Sequence, residues 1–460
     1  MTFQARILKR LDEIRDLPND VLTAARLHFT DAVGVGLAAT ASPMGKPWRE
    51  YGRLISFGGP ATVFGQAIGA RAADAALVNG GLVHSLEYDD THTASIVHGS
   101  AVLAPAALAL AQSVDASGMV MLRAYALWYE VLIRFGLAAK GGFQARGFQI
   151  TSVGGAIAAS GVAADLRGFD KDTASAAFGI ALSQSSGVFE FLSNGSSVKS
   201  MHPGWAAHAG LIAADLAGAG ITGPETALEG RFGLMNQFAG MPEALPQLEN
   251  LIESLGYDWH LPDVAFKFFP ACHYIHPFIE AAARLAETDV TAEQISDLLF
   301  HVPPPAAPII CEPWITRQAA ERHAARWSLP ICFAIRIVTG QLNLASFETS
   351  PPPEAMAMAT RSRWQPMIPN HFPGRFEARV VATLRSGEQR EIYIDDVYGN
   401  TSRSASESDV IAKLENNASC LGRPEAVARL RDALASIDGH TGPGNLGLAL
   451  KEFCPEEHDV

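Results

Sequence analysis

From residue 1 to about 265 the chain alternates long apolar blocks with short polar ones, and the blocks are too long for strands. The segments "VLTAARLHFTDAVGVGLAAT", "ARAADAALVNGGLVHSLEY", "SAVLAPAALALAQSV", "MLRAYALWYEVLIRFGLAA", "SVGGAIAASGVAADL", "DTASAAFGIALSQSSG" and "PGWAAHAGLIAADLAGAG" each read as a helix. Several are apolar all round, the pattern of helices buried inside a large α domain, and their many Ala and Gly residues permit close helix packing. The opening "MTFQARILKRLDEIRD" mixes both charge signs without a continuous apolar core, so it reads as a first amphipathic helix and not as a signal peptide.

The period changes after "YDWHLPDVAFKFFPAC". "ISDLLFHVPPPAAPII" predicts a strand running into a Pro-rich loop, and "RFEARVVATLRSGEQREIYID" predicts two alternating strands around a turn at Ser386 to Gln389, a hairpin. "SESDVIAKLENNASC" and "PEAVARLRDALASI" return to helix. The fold class expected is mainly α: a large all-helical domain at 1–265, completed by 404–460, plus a smaller α+β lid domain at 266–403.

Composition supports this division. At 460 residues the chain exceeds the size at which single cores stop growing. Hydrophobic residues make up 48% and charged ones 18%, yet the apolar runs are too short or too Gly-punctuated to span a bilayer, so no membrane partner is expected. Cys272, Cys311, Cys332, Cys420 and Cys454 are scattered, with no spacing that holds zinc or an iron–sulfur cluster; free thiols imply a reducing, cytoplasmic location. A formal charge of -13 argues against nucleic acid, because phosphate binding needs a basic face. Neither GxGxxG after a strand nor GxxxxGK[ST] is present, which leaves nucleotide cofactors without support.

Candidate chemistry gathers at helix entrances. "SLEYDDTHTASIVHGS" places Glu87, Asp89, Asp90, His92 and His98 ahead of an apolar helix. Gln149, Thr151 and Ser152 precede a second helix, Lys199 and His202 a third begun by Pro203, and Lys267, Cys272 and His273 a fourth. Helix N-termini favour anions, so these ends, if they converge, make an anion pocket in an acidic protein; ordinary capping is the alternative at each one. His98 is a candidate general acid or base, against a structural histidine. Lys199, in "SNGSSVKSMHPG", suits gripping a carboxylate, against a plain surface lysine. Lys267 sits among aromatics, where an unpaired charge is costly and burial depresses the pKa as a base requires. Glu87 and Thr91 share a face if their segment is helical, whereas Asp89 and Asp90 diverge and one of them holds structure. Asp89, Asp90 and His92 look like half of a metal site, but no carboxylate-rich partner follows at useful spacing and no metal is expected.

The order "DAVGVGLA", "NGGLVHSLEYDDTH", "HGSAVLAPAALALA", "YE" with Arg134, "GFQITSVGGAIAAS", "KSMHPGWAAHAGLIAADLAGAGITGP", "LEGRFG", "KFFPACHYIHPFIEAA" and "RWSLPICFA" resembles the MmgE/PrpD family over nearly the whole chain. That family includes 2-methylcitrate dehydratase, cis-aconitate decarboxylase and iminodisuccinate epimerase. The resemblance implies a pocket between the two domains, a homodimer, a small anionic carboxylate substrate and no metal or organic cofactor. It retains Thr91, His98 (with one extra loop residue), Lys199 and Lys267, and puts Glu87 where the decarboxylase branch usually has Asp. It departs at Gln149, where those relatives carry an active-site His, at Cys272, where cis-aconitate decarboxylase has another His, and at Ile331, where a Tyr is common. These losses count against cis-aconitate decarboxylase itself.

The expected catalytic set is therefore His98, Lys199, Lys267, Glu87 and Thr91, with Gln149, His202, Cys272 and His273 as substrate-binding residues. The expected activity is a cofactor-independent lyase that abstracts a proton next to a carboxylate, an elimination like that of 2-methylcitrate dehydratase. Two alternatives stand beside it: an epimerase of a dicarboxylate such as iminodisuccinate, working by two-base proton transfer, and a catalytically inactive carboxylate-binding protein.

Overall fold

A computed structural model describes residues 1–193 and 196–454. The chain divides into two compact units. The first holds Met1–Ser85, Asp89–Phe266 and the chain from Ser406 onward; the second holds Leu86–Tyr88 and Lys267–Ala405.

The first unit is helical. Its helices are α1 (Phe3–Glu13), α2 (Asn19–Ala41), α3 (Lys46–Ile55), α4 (Ala72–His84), α5 (Gly99–Val114), α6 (Gly118–Ala139), α7 (Ile150–Arg167), α8 (Lys171–Ser183), α9 (Met201–Gly218) and α10 (Leu245–Glu253). In the second unit come α11 (His276–Ala286), β1 (Ile295–Val302), α12 (Leu329–Thr339), α13 (Pro353–Ala359), β2 (Ser362–Pro366), β3 (Ala378–Leu384) and β4 (Gln389–Ile394), among shorter turns. The chain then re-enters the first unit with α14 (Glu407–Ser419), α15 (Pro424–Ala435) and α16 (Gly442–Lys451).

Helix starts follow local chemistry. Thr2, Ser117 and Asp170 accept the N–H groups of Ala5, Val120 and Thr173, and Ser406 with Asp409 forms a capping box. In the core, α9 packs on α7 and α4, and α5 packs on α4 and α7. Glycine makes the tightest crossing possible: a Cβ on Gly80 of α4 would lie 2.7 Å from the Cα of Gly204 in α9. Every residue of α5 from Gly99 to Ala111 is buried, which accounts for a stretch that is apolar but for Ser100.

Two helix boundaries differ from the sequence reading. Helix α4 stops at His84, where Ser85 returns its hydroxyl to the Leu82 carbonyl, and Glu87 takes a left-handed φ of 52°. Glu87 and Thr91 therefore do not share a helix face. Helix α9 begins at Met201, so His202 lies inside its first turn, where the missing N–H of Pro203 costs nothing.

In the second unit the sheet order is β2-β1-β3-β4, with β1 parallel to β2 and antiparallel to β3, and β3 antiparallel to β4. Leu298, Phe300 and Val302 of β1 and Ala378, Val380 and Ala382 of β3 turn one face inward, and α11 covers β3 and β4 while packing on α12. Strand β2 was not foreseen: "SRWQP" buries only Ser362 and lacks an alternating apolar set. Among the described residues no helix is long and apolar enough to cross a membrane.

Candidate active site

Between α4 and α5 the chain runs through a loop pinned at two places. Thr91 pairs with Ala265 through both backbone hydrogen bonds, at 3.0 and 2.9 Å. His92 pairs with Val97, and its ring meets the Ser95 hydroxyl at 2.7 Å. Burial, with His260 and Arg134 nearby, lowers His92 to about 3, so it is an uncharged loop brace.

Asp89 and Asp90 do diverge. Asp90 faces a wholly buried set: His28 Nδ1 at 3.0 Å, the Ser100 hydroxyl and, beyond it, the Tyr125 hydroxyl 2.6 Å from Ser100 Oγ. Burial, with Asp90 beside them, pushes the Tyr125 and Tyr129 hydroxyls well above their ordinary range. The His28 ring stacks on Phe266 at 4.0 Å. Asp90 thus anchors the loop to α2, α5 and α6.

Asp89 has a different set of neighbours. Its Oδ2 lies 2.8 Å from Nδ1 of His84 and 3.8 Å from Nδ1 of His98, and the two rings sit 5.1 Å apart. The side chains of His84 and Asp89 are fully buried, while that of His98 is 13% exposed, so His98 is the member of the cluster that a solute can reach. His98 Nδ1 is also 3.0 Å from the Asp90 carbonyl oxygen and 3.0 Å from Thr91 Oγ1. A carbonyl only accepts, so Nδ1 carries the hydrogen and the neutral ring keeps its lone pair on Nε2. When that ring takes up a proton, Asp89 attracts the new charge by about 4 kcal/mol at an effective dielectric near 20. His84, Asp89 and His98 offer ligand atoms within 4.8 Å of one another, a spacing that a divalent metal can use. The hydrogen on His98 Nδ1 is committed to the Asp90 carbonyl, which orients the imidazole so that it would act through Nε2, whether toward a proton or toward a metal.

Gln149 joins this cluster to His202. Its Oε1 lies 2.6 Å from His202 Nδ1 and its Nε2 3.4 Å from His84 Nε2, so both ends of the amide meet ring nitrogens. Burial, with His84 and the charge of Lys199 nearby, lowers His202 to about 4. Lys199 is half-buried in a 3₁₀ turn just before α9; Asn194 and Gly195 of its loop lie outside the described residues.

The helix entrance at His98 differs from expectation. The N–H groups of His98, Gly99 and Ser100 donate to the Thr151 hydroxyl, the Tyr129 hydroxyl and the Asp90 carboxylate. They are engaged within the protein and do not form an anion cradle. Gly99 is required here, since a Cβ would stand 2.1 Å from the Tyr129 ring. A surface hollow of about 410 Å³ lined by Gln112, His440, Asn445 and Lys451 contains none of the candidate residues.

The second unit carries the other group. Lys267 is buried and donates to the Glu87 carbonyl at 3.5 Å, and the buried Arg326 donates to the carbonyls of Leu86 and Pro270 at 2.8 and 2.7 Å. Two cations thus hold the backbone around the left-handed Glu87. Burial brings Arg326 down to about 10 against the pull of Glu87. Cys272 is buried with its N–H on the Arg326 carbonyl, and the His273 ring packs against His276 and Phe376. Ile331 is buried in α12 and donates its backbone N–H to the hydroxyl of Ser328, the helix N-cap.

The structure therefore brings Thr91, His98, Gln149 and His202 together in the first unit, and Glu87 with Lys267 in the second. Sequence reasoning missed His84, Arg326 and the contact of Asp89 with two histidines. His84 ends an apolar helix, where its only signal was a polar residue at a buried position.

Comparison with known proteins agrees with this architecture. The MmgE/PrpD N-terminal domain matches residues 11–246 and the MmgE/PrpD C-terminal domain residues 269–438. The chain is 26% identical to cis-aconitate decarboxylase of Mus musculus over 93% of its length and 89% of that protein. It is also 26% identical to the Homo sapiens enzyme of that name, over 97% of its length and 93% of that protein. Cis-aconitate decarboxylase of Aspergillus terreus is 27% identical over 59% of this chain and 57% of that protein. With both family domains matched in order along one polypeptide, the chain belongs to the MmgE/PrpD family.

Proposed function

We propose that this protein is a lyase that acts on a small di- or tricarboxylate by moving a proton at a carbon next to a carboxylate, with His98 as the proton carrier. One observation carries the reading: His98 is fixed through Nδ1 by the Asp90 carbonyl and Thr91, backed by Asp89, and is the exposed member of an otherwise buried cluster. A base positioned this way accepts a proton on Nε2, and the carboxylate behind it stabilises the imidazolium that forms. In an elimination the C–H electron pair becomes the new C=C bond, the β-hydroxyl leaves, and the imidazolium returns its proton so that water departs. Lys199 is the candidate cation for the substrate carboxylate in the first unit, and Lys267 is the candidate cation of the second. That the enzyme works as a cytoplasmic homodimer without metal or organic cofactor is proposed with it, supported by the scattered cysteines and by the family resemblance alone.

Decarboxylation is the second reading, favoured by the similarity to cis-aconitate decarboxylases over nearly the whole chain. There the C–C bond to one carboxylate breaks, CO2 leaves, the electron pair stays on carbon, and protonated His98 supplies the proton. Proton NMR of the purified protein with 2-methylcitrate, citrate and cis-aconitate separates the readings: loss of water with a new alkene signal indicates elimination, and CO2 with a shortened product indicates decarboxylation. Interconversion of stereoisomers without either product would overturn the lyase reading in favour of an epimerase.

A further inference from the structure

We propose that Gln149 is a positioning residue that transmits the charge of Asp89 to His202, fixing which nitrogen of His202 carries hydrogen and keeping His84 neutral. The part of this inference that concerns turnover rests on the function proposed above; the part that concerns protonation does not.

The argument follows from what each group can donate. Asp89 Oδ2 sits 2.8 Å from His84 Nδ1, and a carboxylate only accepts, so His84 carries hydrogen on Nδ1. A neutral His84 then presents a lone pair at Nε2. The group facing that lone pair, at 3.4 Å, is the Gln149 amide nitrogen, which only donates. The amide oxygen is thereby turned to His202 Nδ1 at 2.6 Å, and it can only accept, so His202 carries hydrogen on Nδ1. The opposite amide orientation would set its oxygen against His84 Nε2 and demand a doubly protonated ring at a fully buried position. One polarity therefore runs from Asp89 through His84 and Gln149 to His202.

Other side chains would break this sequence. Glutamate at 149 offers acceptors at both ends, so His84 Nε2 must take a proton and become an imidazolium between two carboxylates. Methionine offers nothing polar and leaves both rings without their partner. The backbone N–H of Gln149 is held by the Gly187 carbonyl at 3.0 Å, so the side chain starts from a fixed point in every variant.

The test is histidine-selective ¹⁵N NMR of the full-length protein at neutral pH, in wild type, Gln149→Glu and Gln149→Met, with His84 and His202 signals assigned from His84→Asn and His202→Asn. The wild type is expected to show both rings neutral with hydrogen on Nδ1. Gln149→Glu is expected to convert His84 to the doubly protonated form, and Gln149→Met to shift His202 toward a mixture of tautomers. Both variants are expected to lower kcat at least tenfold with KM changed less than threefold. Wild-type signals for both rings retained in both variants would overturn the proposal. If the ¹⁵N shifts change as stated while wild type turns over no carboxylate, the proposal stands and the functional reading fails. Gln149→Glu is nearly isosteric, so a folding failure of Gln149→Met alone leaves the decisive spectrum available.

Discussion

The Asp89 carboxylate stands between two imidazoles, with Oδ2 2.8 Å from His84 Nδ1 and 3.8 Å from His98 Nδ1. In Asp89→Asn the amide oxygen can still accept from His84, so the fold is retained while the charge behind His98 is lost. We expect kcat to fall roughly 10²- to 10⁴-fold, the range typical of lost acid–base assistance, with circular dichroism unchanged. A kcat within threefold of wild type would show that Asp89 only holds its loop.

His98 and Lys199 are expected to fail differently. If His98 carries the proton, as proposed, His98→Gln should lower kcat to background. If Lys199 grips the substrate carboxylate, as proposed, Lys199→Ala should cost about 1.4 kcal/mol or more of binding and raise KM about tenfold or more with a smaller change in kcat. Steady-state kinetics on whichever carboxylate turns over separates the two. The reverse pattern would reassign their roles.

Acid should unfold the protein through its buried neutral histidines. His202 is lowered to about 4 and His92 to about 3, both from near 6.5, with burial as the first cause. Below pH 6.5 the unfolded chain binds protons at these rings and the native state does not, so stability is full above that pH and falls as pH drops toward 4 and then 3. The combined loss is on the order of several kcal/mol. Urea titrations between pH 7 and 4.5 should show the midpoint falling, and His92→Asn should make the slope shallower. An unchanged slope would remove His92 from the explanation.

Asp165 has the opposite sign. Burial raises it to about 6 despite the hydrogen bond it accepts from Trp128 Nε1 at 2.8 Å. The native state then holds a proton that the unfolded chain releases near pH 3.8, so this contribution is present below pH 3.8 and lost as pH rises through 6. Asp165→Asn keeps an acceptor for Trp128 and avoids the buried charge. It should be more stable than wild type by about 1–3 kcal/mol above pH 7 and equal to it below pH 4, read by thermal melts at both pH values. Equal stability at pH 7.5 would contradict the buried-charge explanation.

Much of this was legible in the sequence, and the exceptions have physical causes. Helical blocks such as "SAVLAPAALALAQSV" declare themselves by length and uniform apolarity, and β1, β3 and β4 by alternation. The end of α4 was not legible: "LVHSLEY" continues the apolar pattern, and the break comes from the Ser85 hydroxyl and the left-handed Glu87. His98 and Thr91 could be found because they stand in a polar stretch. His84 and Arg326 could not, because a single polar residue in an apolar helix or in the charged run "ERHAARW" gives no sign of the buried carbonyl or carboxylate it will meet. The helix entrance at His98 misled for a related reason, since its N–H groups are taken by Tyr129, Thr151 and Asp90, residues adjacent only in the fold.

The central claim is that His98 carries a proton to or from the carbon beside a substrate carboxylate. Its most direct test is the rate of deuterium transfer between D2O and that carbon, followed by NMR for wild type and His98→Gln at equal substrate saturation. Transfer by wild type with a loss of at least 100-fold in His98→Gln is the expected result; transfer at the same rate in both proteins would contradict it.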